Sequence, residues 1–473
     1  MAPRRRVDAI VDELGFGAAQ WRAVLVGGGI WAADGSELLL ISSITSALSK
    51  DWSLGGTERG IVVTLVYVGV LVGNALSGSA GDLLGRRLPI LVSYLCIVLF
   101  SVLSALSWGV WSMGLCRMLV GLAFGLGQPA WNTLGAELSP GDSRVLVNAA
   151  SQLLFVLGEL YSAALIWAED PQLHDLNWRR LLVLGALPSL AFGLAAWPLL
   201  LESPKYLVAK GRFAEARAVL DAVARANGRG GALPPAVDFE EAETPKAEQE
   251  LGLGGRLRAV WGRRLGFTTF VVCFSTFTLN FLYYGTIYAF PQVLPSLRLQ
   301  VTPGANLVLG ALMEVPGFLL AVWVAGRTTR RTAIQLYLLS SLLTIGCFLH
   351  GTGMEASLAV TEEQHPWAVY AGFLGMKAFV NIGFVVLYSY ASEIYPTAAR
   401  TTGTATCLAA GRIGAMACPL VYEALTDATN TFHHFFLTLG CLTICNAVLA
   451  SFLTIETAGK HLSDVLELEP LHS

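Results

Sequence analysis

Twelve separate stretches of mostly apolar residues run through this chain, and nothing else in it constrains the fold so tightly. A helix that crosses a bilayer needs ~20 such residues. The stretches lie at 21–48, 60–80, 88–107, 111–136, 145–168, 179–200, 265–290, 304–326, 332–351, 367–392, 402–425 and 435–455. The expected fold is therefore all-α and integral to a membrane, with twelve transmembrane helices. Only 14% of the 473 residues are charged, where a soluble domain has about a quarter. Mean hydropathy is +0.58, which a water-facing surface would not tolerate. The net charge of -3 leaves no footprint for nucleic acid. The basic start, Met1 to Arg6, runs into the acidic, interrupted segment Val7 to Gly15, which does not read as a secretory signal peptide.

The eight cysteines all fall in apolar helix segments. Cys441 and Cys445 are spaced i, i+4 but have no histidine nearby. They read as small buried residues, so no metal site, disulfide framework or cofactor is expected.

Residues 202–264 break the apolar pattern with eleven Lys/Arg and many acids. Within them, Arg212 to Asn227 has the spacing of a short amphipathic helix, with Phe213, Ala216, Leu220 and Val223 on one face. Residues 228–250 read as a linker rich in Gly, Pro, Ala and Glu. The expected organisation is an amino-terminal six-helix half (1–201), a cytoplasmic central loop with short amphipathic helices (202–264), a carboxy-terminal six-helix half (265–458) and a cytoplasmic tail (459–473). With both termini cytoplasmic, 23 of the 31 Lys/Arg fall on the cytoplasmic side, five fall outside, and three (Arg117, Lys377, Arg412) lie deep in spans. An internal repeat relates the halves. Glu137 to Arg144 after the fourth span and Glu393 to Arg400 after the tenth share an acid-x6-Arg spacing. Glu202-Ser203-Pro204-Lys205 after the sixth span is echoed by Glu456 to Lys460 after the twelfth. Such parallel repeats place a binding site near the bilayer midplane.

The loop between spans two and three reads Gly78-Ser79-Ala80-Gly81-Asp82-Leu83-Leu84-Gly85-Arg86-Arg87. It resembles the signature loop of the major facilitator superfamily, in which Asp82 would accept from backbone N–H groups at a helix N-terminus. Its carboxy-terminal counterpart, Gly326 to Arg331, keeps the cations but lacks the Asp. Arg117 to Gly121, followed by Gly125 and Gly127, resembles the superfamily's fourth-helix motif. Narrower likenesses follow in Leu14 to Gln20, Asp34 to Glu37, Glu202 to Gly211, Tyr283-Tyr284-Gly285, Glu314 to Gly317, Tyr390 to Thr397, and Gly411 to Gly414 with Pro419. Together they resemble the branch of synaptic-vesicle-two-related proteins, bacterial nicotinate transporters and animal organic ion transporters, from about residue 10 to residue 462. The loop between spans one and two, about Ser49 to Thr57, is too short for the large outer domain of the animal organic ion transporters. Sugar porters share some elements, but Phe274 to Asn280 here reads FSTFTLN in place of their paired glutamines.

The resemblance implies a non-enzymatic secondary transporter working by alternating access. Neither a metalloprotease helix, a nucleophile elbow nor a phosphate loop occurs. Charges inside spans are functional candidates or halves of structural ion pairs, and sequence leaves both open for Asp34, Glu37, Arg117, Glu159, Glu314, Lys377 and Arg412. Asp34 and Glu37, spaced i, i+3, are expected to share a helix face. We assign substrate binding to Arg412, Lys377, Tyr283, Tyr284, Asn280, Tyr388 and Glu314. Proton coupling falls to Asp34, Glu37, Glu314 and Glu159. Gating falls to Asp82, Arg86, Arg87, Glu137, Arg144, Arg117, Glu393 and Arg400. In the resembling organic ion transporters the anion branch carries Arg and the cation branch Asp at the place of Arg412, so a small organic anion is the expected substrate. Organic cation or sugar transport, and a non-transporting vesicle or scaffold role, are the alternatives. The remaining expectations are a monomer, in a plasma or vesicle membrane, with protons as the candidate coupling ion. The tail Leu466 to Leu471 reads as a sorting signal or a solvated end. In a background without native cysteines, cysteines at Glu355 and Ala242 are expected to label from opposite faces of the membrane; labelling of both from one side overturns this topology.

Overall fold

The structure is a computed structural model and describes residues 4–230, 238–239, 253–354, 360, 363–396 and 399–458. Residues Ala242 and Glu355, most of the 228–250 linker and the tail from 459 lie outside the described residues. Hydrocarbon offers the backbone no water, so each crossing segment bonds its own N–H and C=O groups as a helix. The first six spans are α2 (Ala18–Trp52), α3 (Gly56–Leu84), α4 (Arg87–Ala105), α5 (Val110–Leu138), α6 (Arg144–Glu169) and the pair α7 (Trp178–Gly185) and α8 (Leu187–Leu199). A short α1 (Val7–Leu14) precedes them, and α9 (Pro204–Ala209), α10 (Phe213–Ala226) and α11 (Leu253–Trp261) follow. The second six are α12 (Gly266–Val293), α13 (Pro303–Arg327), α14 (Arg330–Gly351), α15 (Pro366–Glu393), α16 (Arg400–Thr429) and α17 (His433–Ser451). Among the described residues twelve helical spans are long and apolar enough to cross a membrane, as expected. Leu95, Leu319 and Leu343 are each about two-thirds exposed; apolar side chains turned outward in this way suit lipid contact. The sixth span is interrupted between Gly185 and Leu187, just before Pro188.

The chain forms two compact units. The first holds Met1–Ala47, Leu65–Ile166 and Leu176–Glu243; the second holds Leu48–Thr64, Trp167–Asp175 and Thr244–Ser473. Within each, small residues let backbones touch. A Cβ on Gly69 would sit 2.0 Å from the Met118 carbonyl oxygen, and one on Gly121 2.0 Å from that of Val66. In the second unit Gly414 abuts the Phe277 carbonyl and Gly317 that of Ala378 in the same way. Lipid is as apolar as leucine, so close van der Waals packing, not water exclusion, has to hold such helices together.

The Leu14 to Gln20 motif docks the amino terminus onto the central segment. Asn227, just past α10, accepts from the Ala19 N–H (3.0 Å) and donates to the Gly15 carbonyl and the Gln20 side chain (3.0 Å each). Val7, Ile10, Val11 and Leu14 of α1 pack with Tyr206, Leu207, Leu220 and Val223. Ala216, Leu220 and Val223 are buried as the amphipathic pattern requires, whereas Phe213, expected on that face, is 44% exposed because it opens the helix.

The repeated acids after spans six and twelve have the same structural task. Glu202 accepts from the backbone N–H groups of Arg86 (2.9 Å) and Arg87 (3.3 Å), capping α4. Glu456 accepts from those of Arg330 (2.9 Å) and Arg331 (3.2 Å), capping α14. The tight turn before α4 uses Gly85 at φ +89°, and a Cβ there would meet the Glu202 carboxylate. A carboxylate at a helix N-terminus satisfies orphan donors and meets the positive end of the macrodipole. Burial alone would raise the Glu456 carboxyl, but the amides of Ala458, Arg330 and Arg331 outweigh it and hold the group below its ordinary 4.5. Glu456→Ala is expected to cost ~1 kcal/mol in detergent unfolding at pH 7, the usual worth of a cap. Because the folded carboxyl is depressed, its contribution is complete above pH 4.5 and lost as pH falls through the lower folded value. A stability gap between mutant and wild type that persists unchanged below that range refutes the cap.

Candidate functional site

In the second unit all seven residues expected to bind substrate join one network on α12, α13, α15 and α16. Lys377 Nζ donates to Glu314 Oε1 at 2.7 Å, and the Tyr283 hydroxyl donates to Glu314 Oε2 at 3.2 Å. The Lys377 ammonium also lies 5.6 Å from the Tyr283 ring centre. Tyr283 meets Tyr284 edge-to-face at 5.2 Å, and the Tyr284 hydroxyl accepts from Arg412 Nη1 at 3.2 Å. On its other side Tyr283 meets Phe384 at 5.0 Å, Phe384 meets Tyr388 at 5.5 Å, and Asn280 Nδ2 donates to the Tyr388 hydroxyl at 3.3 Å. Glu314, Lys377 and Asn280 are buried, while Arg412, Phe384 and Tyr388 are half-buried. The cluster brings together two cations, Lys377 and Arg412, and the carboxylate of Glu314.

Glu314 engages Lys377 and Tyr283. Glu423, fully buried on α16, accepts from Arg59 Nη2 at 2.6 Å and from the Tyr288 hydroxyl. Arg59 stands in the first turns of α3, which belong to this second unit.

In the first unit Glu37 and Arg117 form a buried ion pair, Nη1 to Oε2 at 2.6 Å. Ser101 donates to the second Glu37 oxygen (2.6 Å), and Arg117 Nε donates to Ser104 (2.9 Å). Asp34 instead accepts from Gln128 at 2.6 Å. The shared face expected of Asp34 and Glu37 therefore does not bring them to one spot. Both reach α5, but their partners Arg117 and Gln128 stand about three turns apart. Glu159 is buried on α6, its backbone N–H lying close to Gly35.

Of the residues expected to gate, Asp82, Arg86, Arg87 and Glu137 meet at the start of α4 and Glu393 meets the start of α14, whereas Arg117 lies apart, buried against Glu37. Arg86 lies 3.4 Å from Glu137 and 3.6 Å from Asp82, and its guanidinium covers the Tyr206 ring at 5.3 Å. Asp82 is 80% exposed, and the helix N-terminus it was expected to face is occupied by Glu202. Arg87 Nη2 donates to the Trp197 carbonyl at 2.6 Å. Arg330 meets Glu393 with two parallel bonds of 2.9 and 3.2 Å, and Thr457 donates to the same carboxylate. The acids of the acid-x6-Arg repeats thus meet Arg86 and Arg330, arginines from outside their own motifs. Arg144 reaches Asp8 (3.3 Å) and the Ala136 carbonyl, and Arg400 opens α16. Sequence reasoning missed Gln128, Ser101 and Phe384; a polar side chain within an apolar span was the available signal for the first two.

The sugar (and other) transporter family matches residues 43–468, so the chain belongs to that family of transporters. It is 27% identical to the synaptic vesicle 2-related protein of Xenopus laevis, over 97% of this chain and 82% of that protein. It is 28% identical to organic cation/carnitine transporter 7 of Arabidopsis thaliana (98% and 96% covered) and 24% identical to the niacin transporter NiaP of Acinetobacter baylyi (96% and 98%). The xylose transporter XylE from E. coli, in a partially occluded inward open conformation, superposes with a TM-score of 0.74 over 94% of this chain and 100% of that one, at 17% identity. The fold is thus that of the major facilitator superfamily.

Removing one partner of a buried pair strands the other charge at a cost of ~3–5 kcal/mol. Glu37→Gln is therefore expected to lower unfolding stability by about that much, and Glu37→Gln with Arg117→Gln to recover a large part. A single mutant as stable as the wild type would show that Arg117 does not depend on this pair.

Proposed function

We propose that this member of the sugar (and other) transporter family carries a small organic acid, nicotinate-like in size, across the membrane by alternating access. Arg412 recognises its carboxylate. The observation that carries this reading is the joining of a guanidinium, Arg412, to a continuous wall of aromatic rings through the Tyr284 hydroxyl. A guanidinium offers a planar fork that matches a carboxylate in two parallel bonds. Tyr284, Tyr283, Phe384 and Tyr388 offer faces and edges to a flat ring. One relative is named for niacin, a pyridine carboxylic acid. Lys377 contributes through Glu314: protonating that carboxyl weakens its hold on the ammonium and raises the positive charge of the site. Glu314 and, in the first unit, Glu37 against Arg117 are the assigned proton carriers, with Asp34 and Glu159 as further buried carboxylates. Asp82, Arg86, Arg87, Glu137, Arg144, Glu393 and Arg400 act at the cytoplasmic ends of the helices. The protein works as a monomer with both termini cytoplasmic, in a plasma or vesicle membrane.

A second reading has an observation of its own. Four aromatic rings in sequence also suit a quaternary ammonium group by cation–π attraction, and another relative is named for organic cations and carnitine. Sugar transport ranks lower, since a charged cluster of this kind is not needed for a neutral polyol. Uptake into liposomes holding the purified protein separates the three. Nicotinate is expected to enter, and Arg412→Lys to weaken its binding by ~1–3 kcal/mol, about 5- to 150-fold in Kd. Arg412→Asp should abolish it. Uptake of organic cations or xylose with none of nicotinate overturns the anion assignment. An imposed proton gradient is expected to drive accumulation; indifference to it removes Glu37 and Glu314 as carriers.

A further inference from the structure

Cys273 on α12 and Cys407 on α16 are 134 positions apart, yet their sulfurs lie 3.9 Å from each other. The helices are fixed at this level. The Thr276 hydroxyl reaches both the Cys273 carbonyl (2.9 Å) and the Cys407 carbonyl (2.7 Å). Further along the crossing, Gly411 lies against Asn280, and a Cβ on Gly414 would come within 2.3 Å of the Phe277 carbonyl. A third polar group faces the pair. The Tyr395 hydroxyl lies 3.2 Å from Cys407 Sγ and donates to Thr269 Oγ1, also at 3.2 Å. Its ring is held against Gly403, where a Cβ would fall 2.5 Å away. Cys407 is buried, and Cys273 is only partly buried.

Two thiols in contact, one reachable and one enclosed beside a phenol, form an arrangement that simple packing does not require. We propose that Cys273 and Cys407 form a reversible dithiol site that a hydroperoxide oxidises to a disulfide, tying α12 to α16. Thiolate is the reacting form of cysteine. The Cys273 thiolate attacks one peroxide oxygen. The O–O bond breaks, and the departing oxygen takes a proton to leave as water or an alcohol. Cys273 is then a sulfenic acid. The Cys407 sulfur attacks it, the S–O bond breaks, and water leaves with the proton from Cys407. In sum the two thiols lose two electrons and two protons, and the peroxide is reduced. Disulfide closure needs the sulfurs at about 2.05 Å, so each has to move by about 1 Å. The Tyr395 hydroxyl serves the second step by turning its proton toward Cys407 and stabilising the attacking thiolate. Cys407 precedes Arg412 on α16, and Cys273 precedes Tyr283 and Tyr284 on α12. The cross-link therefore pins the two helices that carry the Arg412–Tyr284 contact. Transport inhibition by the link rests on the proposed function; the link itself does not.

The test uses the purified full-length wild type. It is treated with hydrogen peroxide, alkylated with N-ethylmaleimide, digested and analysed by mass spectrometry. The expected product is a linked Cys273–Cys407 peptide lighter by two hydrogens, with two fewer alkylated thiols and full recovery after dithiothreitol. Phenylarsine oxide, which bridges neighbouring thiols, should protect the same two cysteines from alkylation. In Cys407→Ser, dimedone should trap a sulfenic acid on Cys273. Tyr395→Phe should slow link formation several-fold without preventing it. If peroxide leaves both wild-type cysteines open to alkylation, or drives Cys273 to a sulfinic acid with no linked peptide, the dithiol site is refuted. Because these readouts are covalent, they stand whether or not nicotinate proves to be the substrate.

Discussion

A charge placed in hydrocarbon has nowhere to put its field except onto another group of the same protein, and that constraint orders the interior of this transporter. The cost of an unpaired charge at the bilayer centre is several kcal/mol. Each unit accordingly builds its interior around ion pairs that bridge helices. Glu37 and Arg117 join α2 to α5, and Glu314 and Lys377 join α13 to α15. Glu423 joins α16 to the first turns of α3 through Arg59. Hydroxyls complete the shells: Ser101 and Ser104 in the first case, Tyr283 in the second, Tyr288 in the third. Such pairs contribute little net stability, because desolvation offsets attraction, but breaking one is expensive. A pair of this kind can hold a conformation and still release it when proton or ligand supplies the missing charge.

Pairs can act this way only where backbones come close enough to aim them, and glycine supplies the approach. Gly411 and Gly414 flank Arg412 and press α16 onto α12 at Asn280 and Phe277. The guanidinium is thereby carried to the Tyr284 hydroxyl. In the first unit Gly121 follows Arg117 by one turn and sits on the Val66 carbonyl. The motif pairs a charge with a small residue because the two tasks are one: the small residue sets the helix spacing at which the charge reaches its partner.

The membrane fold was legible because the span signal is long and redundant, and it survives errors of several residues at each end. The expectation for α2 stopped at 48 where the helix runs to Trp52, and nothing else changed. Residue types at the sites were legible too, since a charge in an apolar span announces itself. Their pairing was not. The i, i+3 spacing of Asp34 and Glu37 says that both leave one face of α2, but not that one reaches up to Arg117 and the other to Gln128. The acid-x6-Arg repeat was real as a pattern, yet each acid, at the end of one helix, meets the arginine at the start of the helix before it. Phe213 shows the same limit on a small scale. Periodicity gives a face, and the position at the helix end decides whether that face has anything to cover it.

The two corners at the starts of α4 and α14 differ in how much freedom they leave their arginine. Both units cap a helix with a carboxylate from beyond the last span, and both aim an arginine from the capped turn at a second acid. Arg330 gives Glu393 a bidentate contact, and Thr457 holds that carboxylate from the other side. A fork of two parallel bonds restricts orientation as well as distance. Arg86 divides itself among the Gly81 carbonyl, Glu137, the exposed Asp82 and the Tyr206 ring. No single one of these fixes the guanidinium plane, and the contact with Asp82 is screened by solvent. Four positions before Arg330 stands Gly326, where the first unit has Asp82 four before Arg86. The corner of the first unit can therefore exchange one weak partner for another at small cost. That of the second has to break two charge-assisted bonds at once. The same pattern of cap and arginine, repeated in both units, is thus held loosely in the first and firmly in the second.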